Sequence, residues 1–224
     1  MKKAIVTGGA GLIGSGICNT LAENGWEVVS FDLEEGAGTR FIRCDVSDEA
    51  SVAAAFETLG WSELDLLVNN AGKADPYTGP IEKLSLGDWR AITESHLTGA
   101  FLMTRAAVPL MGEGASIINM ISTRAFMAEP ETEAYCASKG GLFGFTQSLA
   151  VSLGPKIRVN CIAPGWISGS EDLRDKDHAQ HPAGRVGRAE DIGEAVLYLT
   201  GAGFMTGQVM TLDGGMTRKM IYEH

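Results

Sequence analysis

The chain has few of the features that suit a secreted, membrane-spanning or nucleic-acid-binding protein. Its four cysteines show no C-x-x-C spacing, which argues against a metal site or a disulfide framework. It has no apolar run of the ~18 residues that a transmembrane helix needs, and glycines interrupt its first apolar residues, unlike a signal peptide. Its 18 basic residues are outnumbered by 28 acidic ones, for a net charge of −10, which disfavours nucleic acid and anionic membranes as partners. We therefore expect a cytoplasmic protein with reduced cysteines.

The composition is otherwise that of a globular protein. Hydrophobic residues make up 45% of the chain and charged residues 21%, which are ordinary values. A length of 224 residues favours a single domain over residues 1–224 with a sizeable core. The 29 glycines are numerous and suit tight turns and close approach of the backbone to a ligand.

The first 32 residues have the pattern of a dinucleotide-binding unit. An apolar strand at 4–6 leads into a glycine-rich turn at 7–14, and a helix follows as far as Asn24. Glycines allow the backbone to approach a pyrophosphate, and the helix N-terminus attracts its charge. A second strand at 26–31 ends at Asp32, whose carboxylate can bind ribose hydroxyls and would repel a 2′-phosphate. With no Arg or Lys in the turn, the sequence predicts NAD as the cofactor.

The remainder of the chain alternates between strand and helix patterns. Further strands are predicted at 40–44, 64–68, 116–121, 157–162 and 208–212, and helices at 48–59 (with Ser47 as N-cap), 88–111, 135–153 and 189–200. Alternating elements of this kind form a doubly wound parallel sheet covered by helices on both faces. We therefore predict a Rossmann-like α/β fold with about seven strands in three layers.

Several polar residues stand where the predicted strands end, which is the ligand-binding edge of such a sheet. Asn69 follows the fourth strand, although Asn-Asn-Ala-Gly is also ordinary turn chemistry. Ser122 follows the fifth strand, and Tyr135 and Lys139 lie four residues apart on one helix face. A nearby ammonium lowers the pKa of a phenol, so this pair can move a proton to or from a substrate oxygen that Ser122 polarises. Such a set would serve a reaction in which a hydride moves as well.

These motifs together resemble the short-chain dehydrogenase/reductase family, in its single-domain branch, over essentially the whole chain. The resemblance rests on motifs in the family's order and spacing: Thr7-Gly8 to Gly14, Asp32, Asp45-Val46, Asn69-Asn70-Ala71-Gly72, Ser122, Tyr135-x-x-x-Lys139, Pro164-Gly165 and Thr206-Gly207-Gln208 to Asp213-Gly214-Gly215. It implies a nicotinamide cofactor and a homo-oligomer, a tetramer or dimer, built partly through the helices at 88–111 and 135–153.

The resemblance also implies a role for each matching residue. Tyr135 would be the catalytic acid/base, Lys139 would lower its pKa and bind the nicotinamide ribose, and Ser122 would orient the substrate oxygen. The implied cofactor-binding residues are Gly8, Gly11, Leu12, Ile13, Gly14, Asp32, Asp45, Val46, Asn69, Ala71, Gly72, Tyr135, Lys139, Pro164, Gly165 and Ile167. No metal site is predicted.

The chain departs from the family pattern at two places. Its turn reads Thr-Gly-x-x-Gly-x-x-Gly, the spacing of the larger two-domain branch, although 224 residues leave no room for that branch's second domain. His96 lies seven residues after Trp89, where the family usually has a catalytic Asn that helps to hold a relay water. A histidine can replace that group because it donates, accepts and titrates; a helix histidine satisfied by its neighbours is about equally consistent with the sequence.

Two functional hypotheses follow. The first is an NAD-dependent oxidoreductase that interconverts a secondary alcohol (a sugar, polyol or hydroxy acid) and its ketone, with Tyr135 as acid/base and His96 as a fourth catalytic candidate. The second is a dinucleotide-binding regulatory or structural protein with little activity. Substrate specificity is predicted to lie in residues 123–133 and in a lid at 168–188, where His178 and His181 are expected to be solvated.

Overall fold

The apolar segments of the sequence form seven strands in the computed structural model, which describes residues 1–36 and 38–220. The strands are β1 (Lys3–Thr7), β2 (Glu27–Asp32), β3 (Arg40–Arg43), β4 (Leu64–Asn69), β5 (Met111–Met120), β6 (Ile157–Pro164) and β7 (Val209–Leu212). All neighbouring strands are parallel, in the order β3-β2-β1-β4-β5-β6-β7. The predicted Rossmann-like sheet is thereby confirmed; of the predicted domain, residues 37 and 221–224 lie outside the described residues.

The connecting segments form helices that cover the sheet. They are α1 (Leu12–Glu23), α2 (Glu49–Leu59), α3 (Leu86–Thr93), α4 (Gly99–Ala107), α5 (Glu133–Leu153), α6 (Asp175–Ala179) and α7 (Ala189–Gly201), with a π-helical turn at Glu94–Thr98 and 3₁₀ turns at Ile81–Lys83, Val108–Leu110, Thr123–Ala125 and Met216–Arg218. Within the described ranges, no helix combines the length and apolar character needed to cross a membrane.

The central strands contribute alternate residues to cores on the two faces of the sheet. Ile5 of β1 packs with Leu102 of α4, whereas its neighbour Val6 packs with Ile17 of α1 and Val196 of α7. Each of these five side chains is 6% exposed or less. A parallel sheet buried on both faces requires strands that are apolar at nearly every position, which is why the strands were readily predicted.

The helix predicted at 88–111 has a different end and an irregular middle. Its helical path begins at Leu86, widens into the π-helical turn at Glu94–Thr98 and finishes in the 3₁₀ turn that contains Pro109. Proline has no N–H to continue the hydrogen-bond ladder. Met111 was therefore wrongly assigned to the helix; it begins β5 and pairs with Leu64.

The predicted N-cap of the second helix was also wrong by one position. Asp48 caps α2, and its carboxylate accepts a hydrogen bond from the Ala50 N–H at 3.0 Å. The Ser47 hydroxyl instead donates to the Asp45 carboxylate at 2.6 Å. Both residue types cap helices well, so propensity alone did not distinguish them.

The strand order places the carboxyl ends of the five central strands at one edge. The chain moves outward from β1 through β2 to β3 and then returns to the other side of β1 with β4. Such a switch point opens a crevice beyond the strand ends. The glycine turn, Asp32, residues 69–72 and Ser122 all follow strands at this edge.

Candidate active site

The glycine turn forms one wall of a large cleft at this edge. Gly8 has a φ of +68°, which a glycine adopts without strain. A Cβ on Gly14 would lie 2.0 Å from the Gly8 carbonyl oxygen, so no other residue fits there. Gly11 caps α1 without a side-chain hydrogen bond, and the first N–H groups of the helix have no partner within it. The turn can therefore hold a pyrophosphate on backbone N–H groups.

Side chains at the ends of β2 and β4, the strands on either side of β1, fix the shape of this turn. The Asp32 carboxylate accepts hydrogen bonds from the backbone N–H of Ala10 at 2.8 Å and of Leu33 at 2.6 Å. The Asn70 side chain donates to the carbonyl oxygens of Thr7 at 3.0 Å and Gly8 at 3.2 Å. The backbone of the glycine turn is thus held in place by residues at the strand ends that line the cleft.

Ser122, Tyr135 and Lys139 meet at the other side of the cleft. Ser122 lies two residues after the end of β5, and Tyr135 and Lys139 lie on α5. Lys139 is buried, its ammonium donates to the Met120 carbonyl oxygen at 2.8 Å, and its Nζ lies 5.3 Å from the centre of the Tyr135 ring. The predicted triad is therefore brought together in one cleft, which all three side chains line.

The pKa of Tyr135 differs from the expectation. Burial raises it above its ordinary value, and the hydrogen bond with Ser122 and the positive charge of Arg124 only partly oppose this rise. Arg124, not Lys139, supplies the opposing charge. The reason is that burial lowers the pKa of Lys139 itself from 10.5 to about 7, so its charge is only partly present at neutral pH.

This buried lysine leads to a prediction about stability. Between pH 7 and 10.5 the unfolded chain binds a proton at Lys139 that the folded chain lacks, so the free energy of unfolding rises with pH across this window. We expect Lys139→Met, which has no charge to bury, to have a higher free energy of unfolding than wild type at about pH 6. In urea denaturation without cofactor, this excess over wild type should shrink by up to ~3 kcal/mol between about pH 6 and about pH 9.5. The exposed Lys156→Met is the control. An advantage that does not change with pH would contradict the assignment.

His96 projects from the π-helical turn into the same region. It is 5% exposed, its ring packs edge-on against Tyr135 with centroids 5.2 Å apart, and its Nε2 lies 3.0 Å from the Lys73 carbonyl oxygen. Because a carbonyl only accepts, Nε2 carries the proton and Nδ1 is an acceptor. Burial and the charge of Lys139 lower the pKa of His96 to about 3. His96 is therefore neutral, and its buried Nδ1 has no partner within residues 1–36 and 38–220.

All but one of the predicted cofactor-binding residues line the cleft, which has a volume of about 1410 Å³. The exception is Asn69. Its amide donates to Asn119 at 2.8 Å and to Thr104 at 3.2 Å, and Asn119 in turn donates to Thr146 at 2.9 Å. The Asn69 side chain thus belongs to a buried polar network beneath the cleft that joins β4 and β5 to α4 and α5.

This network should contribute measurably to stability. Thr146→Val keeps the shape of the side chain but removes the acceptor of the Asn119 amide. Leaving a buried donor unpaired costs ~1–3 kcal/mol, so we expect a lower free energy of unfolding by that amount in urea denaturation. Thr58→Val is a matched control, because Thr58 makes the same hydrogen bond to the carbonyl four residues earlier but is exposed. Equal effects of both substitutions would count against the network.

The structure also places at the cleft residues that the sequence indicated only as members of a motif or segment, without a role of their own. Asn70 and Arg124 line the cleft. Asn70 directly follows Asn69, and Arg124 lies two residues after Ser122, so their closeness to predicted site residues could have indicated them. His181, expected to be solvated, is 5% exposed and lies next to Trp166, with ring centroids 6.2 Å apart. Its position depends on how the irregular segment after β6 folds back, for which the sequence has no periodic pattern. Within the described ranges, no three metal-ligating side chains cluster.

A Rossmann-like sheet with this serine, tyrosine and lysine at its ligand edge defines a class of nucleotide-dependent oxidoreductases, and comparison with known proteins agrees. A family model described as enoyl-(acyl carrier protein) reductase matches residues 9–217. An uncharacterized oxidoreductase of Thermotoga maritima is 42% identical over 99% of this chain and 98% of its own length. The chain belongs to the short-chain dehydrogenase/reductase family, whose members bind a nicotinamide dinucleotide.

Other relatives include enzymes with defined substrates. The cis-4-hydroxycyclohexanecarboxylate dehydrogenase of Sinomonas cyclohexanicum is 37% identical over 96% of both chains. The D-threitol dehydrogenase of Mycolicibacterium smegmatis is 35% identical over 97% of this chain and 94% of its own. Among solved structures, an apo SCOR enzyme from Clostridium thermocellum superposes with a TM-score of 0.90 at 35% identity, covering 99% of this chain and 95% of that one.

Proposed function

We propose that this protein is an NAD-dependent dehydrogenase that interconverts a secondary alcohol and its ketone. The observation that carries the proposal is the meeting of Ser122, Tyr135 and Lys139 in one cleft with the glycine turn. A bound dinucleotide would supply the hydride acceptor for oxidation of the alcohol and the hydride donor for reduction of the ketone. The tight Gly8–Gly14 turn and the uncapped start of α1 fit its pyrophosphate.

The side chains of the cleft have separate tasks in this proposal. Tyr135 takes the proton from the substrate hydroxyl during oxidation and returns it to the ketone oxygen during reduction. Ser122 hydrogen-bonds that same oxygen and orients it. Lys139 supports the Tyr135 ring from the buried side and binds the nicotinamide ribose, and neutral His96 adds an acceptor next to the phenol.

The choice of NAD over NADP rests on Asp32. Its carboxylate lies at the end of β2 beside the glycine turn and lines the cleft. A carboxylate binds ribose hydroxyls and repels a 2′-phosphate. The substrate is a small alcohol of the hydroxy acid, polyol or sugar type, in keeping with the relatives' names.

We further propose that the enzyme is cytoplasmic and homo-oligomeric and that it has a substrate lid. The four cysteines are unpaired, which suits the cytoplasm. Phe101 on α4 and Val151 on α5 are 43% and 84% exposed, and these helices are proposed to form part of a homo-oligomer interface. Residues 168–188 are proposed as a substrate lid within a single domain, because Gln180 and His181 of this segment line the cleft.

The direct test is NADH formation by the purified protein. We expect turnover with NAD, and at least ~10-fold less with NADP, on one class within a panel of hydroxy acids, polyols, sugars and simple secondary alcohols. Preference for NADP would refute the role given to Asp32. NADH binding without turnover on any substrate would favour the alternative, a dinucleotide-binding protein with little activity.

A further inference from the structure

Arg124 is held beside the reacting groups by its own backbone. It lies in the 3₁₀ turn Thr123–Ala125, and its main-chain N–H donates to the Ser122 hydroxyl oxygen at 3.1 Å. Its positive charge acts on the Tyr135 phenol, and both side chains line the same cleft. A substrate whose oxygen lies between Ser122 and Tyr135 therefore has a guanidinium within reach of its other substituents.

The hydrogen-bonding capacity of this guanidinium is not fully used. Its Nη2 forms an ion pair with Glu129, which also accepts a hydrogen bond from the Tyr77 hydroxyl at 3.2 Å. Its Nε is buried and, within the part of the chain that the structure describes, has no partner. A buried donor without an acceptor costs free energy. The side chain as a whole is 30% exposed, so an acceptor supplied by a ligand can reach the guanidinium once that side chain turns towards the cleft.

The surroundings of Arg124 indicate what kind of acceptor fits. Lys139 is buried and directed at the Met120 carbonyl, and Lys73 follows the cofactor-side Gly72, so Arg124 is the cation placed for the substrate. A planar guanidinium suits a carboxylate, which it can bind through two parallel hydrogen bonds. Met127 and Trp166, each 42% exposed, line the same cleft. They offer apolar surface for the body of the molecule.

We propose that Arg124 is a specificity residue that binds a carboxylate of the substrate, so that this enzyme acts on a hydroxy acid with an apolar body. The inference rests on the proposed dehydrogenase function and leaves its hydride and proton steps unchanged. Glu129 is the resident counter-ion; its side chain is 51% exposed, so it can turn to water when the substrate carboxylate binds. The relative that oxidises a hydroxycyclohexanecarboxylate has a substrate of this kind by name.

The kinetic test compares an acid with a neutral alcohol of similar shape. We expect wild type to oxidise cis-4-hydroxycyclohexanecarboxylate more efficiently than 4-methylcyclohexanol. Arg124→Gln should lower kcat/KM for the acid by ~10- to 100-fold more than it lowers kcat/KM for the neutral alcohol, with the extra loss mainly in KM. The neutral alcohol corrects for any effect of the lost charge on Tyr135. Glu129→Gln should lower KM for the acid, because it removes the competing carboxylate.

A matched control and a binding measurement complete the test. Arg105→Gln also breaks an Arg–Glu ion pair, with Glu49. Because Arg105 does not line the cleft, this substitution should leave kcat/KM unchanged for both the acid and the neutral alcohol. Cyclohexanecarboxylate, which has no hydroxyl to oxidise, should bind wild type with NAD in calorimetry and bind Arg124→Gln at least ~10-fold more weakly. Thermal unfolding checks that each variant is folded.

The outcomes separate the two proposals. Equal loss of acid and neutral turnover in Arg124→Gln, or equal binding of cyclohexanecarboxylate to wild type and variant, would overturn the carboxylate site. Arg124-dependent binding of cyclohexanecarboxylate without oxidation of any alcohol would support the carboxylate site and contradict the dehydrogenase function.

Discussion

Replacing Tyr135 by phenylalanine is expected to reduce turnover by ~10²- to 10⁴-fold, the usual contribution of general acid–base catalysis. The substitution removes only the phenolic oxygen, so the ring keeps its edge-on contact with His96 and its position beside Lys139. Cofactor binding should therefore change little. Initial rates of NADH formation measure the first effect, and NADH fluorescence titration measures the second.

The control for this prediction is Tyr198→Phe. Tyr198 lies on α7 and is 59% exposed, outside the cleft, so its hydroxyl has no part in the proposed chemistry. If Tyr135→Phe retained most of the wild-type turnover, proton transfer by the phenol would be refuted. If it lost NADH binding as well, the Tyr135 hydroxyl would be needed to hold the cofactor, and the loss of turnover would not by itself show proton transfer by the phenol.

The second large effect is expected at Gly14, where alanine should weaken binding of the dinucleotide by at least ~100-fold. Its Cβ would lie 2.0 Å from the Gly8 carbonyl oxygen and 2.8 Å from the Gly9 Cα, so the turn must open to accommodate it. Opening the turn moves the N–H groups that hold the pyrophosphate. Calorimetric titration with NADH measures the change.

Gly87→Ala is the matched control, because a Cβ there meets only the Ser85 hydroxyl oxygen at 3.6 Å, an ordinary contact. Thermal unfolding of cofactor-free Gly14→Ala separates a displaced turn from an unfolded protein. A folded Gly14→Ala variant with wild-type affinity for NADH would show that the pyrophosphate binds elsewhere.

The sequence predicted most of the fold because the sheet is buried on both faces. Its strands are apolar at almost every position, and glycine or polar residues end them sharply. The misplaced boundary at Met111 has a local cause: proline ends the helix, and the strand then begins at once through Gly112 and Gly114. The exposed Gly-Glu-Gly interval at 112–114 has the composition of a turn, so the start of the strand at Met111, before that interval, was not recognised.

For the site, the sequence predicted the residues that follow strands better than the residues that lie on loops. Residues that follow strands were placed correctly at the cleft because topology alone brings strand ends together. Asn69 shows the limit of that argument, since successive side chains at a strand end point to opposite sides and its amide enters the interior while Asn70 reaches the glycine turn. The roles of Arg124 and His181 depend on loop paths, and no periodicity in the sequence encodes them.

The π-helical turn at Glu94–Thr98 affects how this chain should be aligned with its relatives. In a regular helix, positions seven apart share a face, and counting from Trp89 to His96 assumes that regularity. The wider turn inserts about one extra residue, and each residue of a helix corresponds to a rotation of roughly 100°. An alignment without a gap can therefore pair His96 with a residue that faces elsewhere in a relative. Superposed coordinates, not residue counting, should decide which residue of each relative occupies the place of His96 beside the phenol.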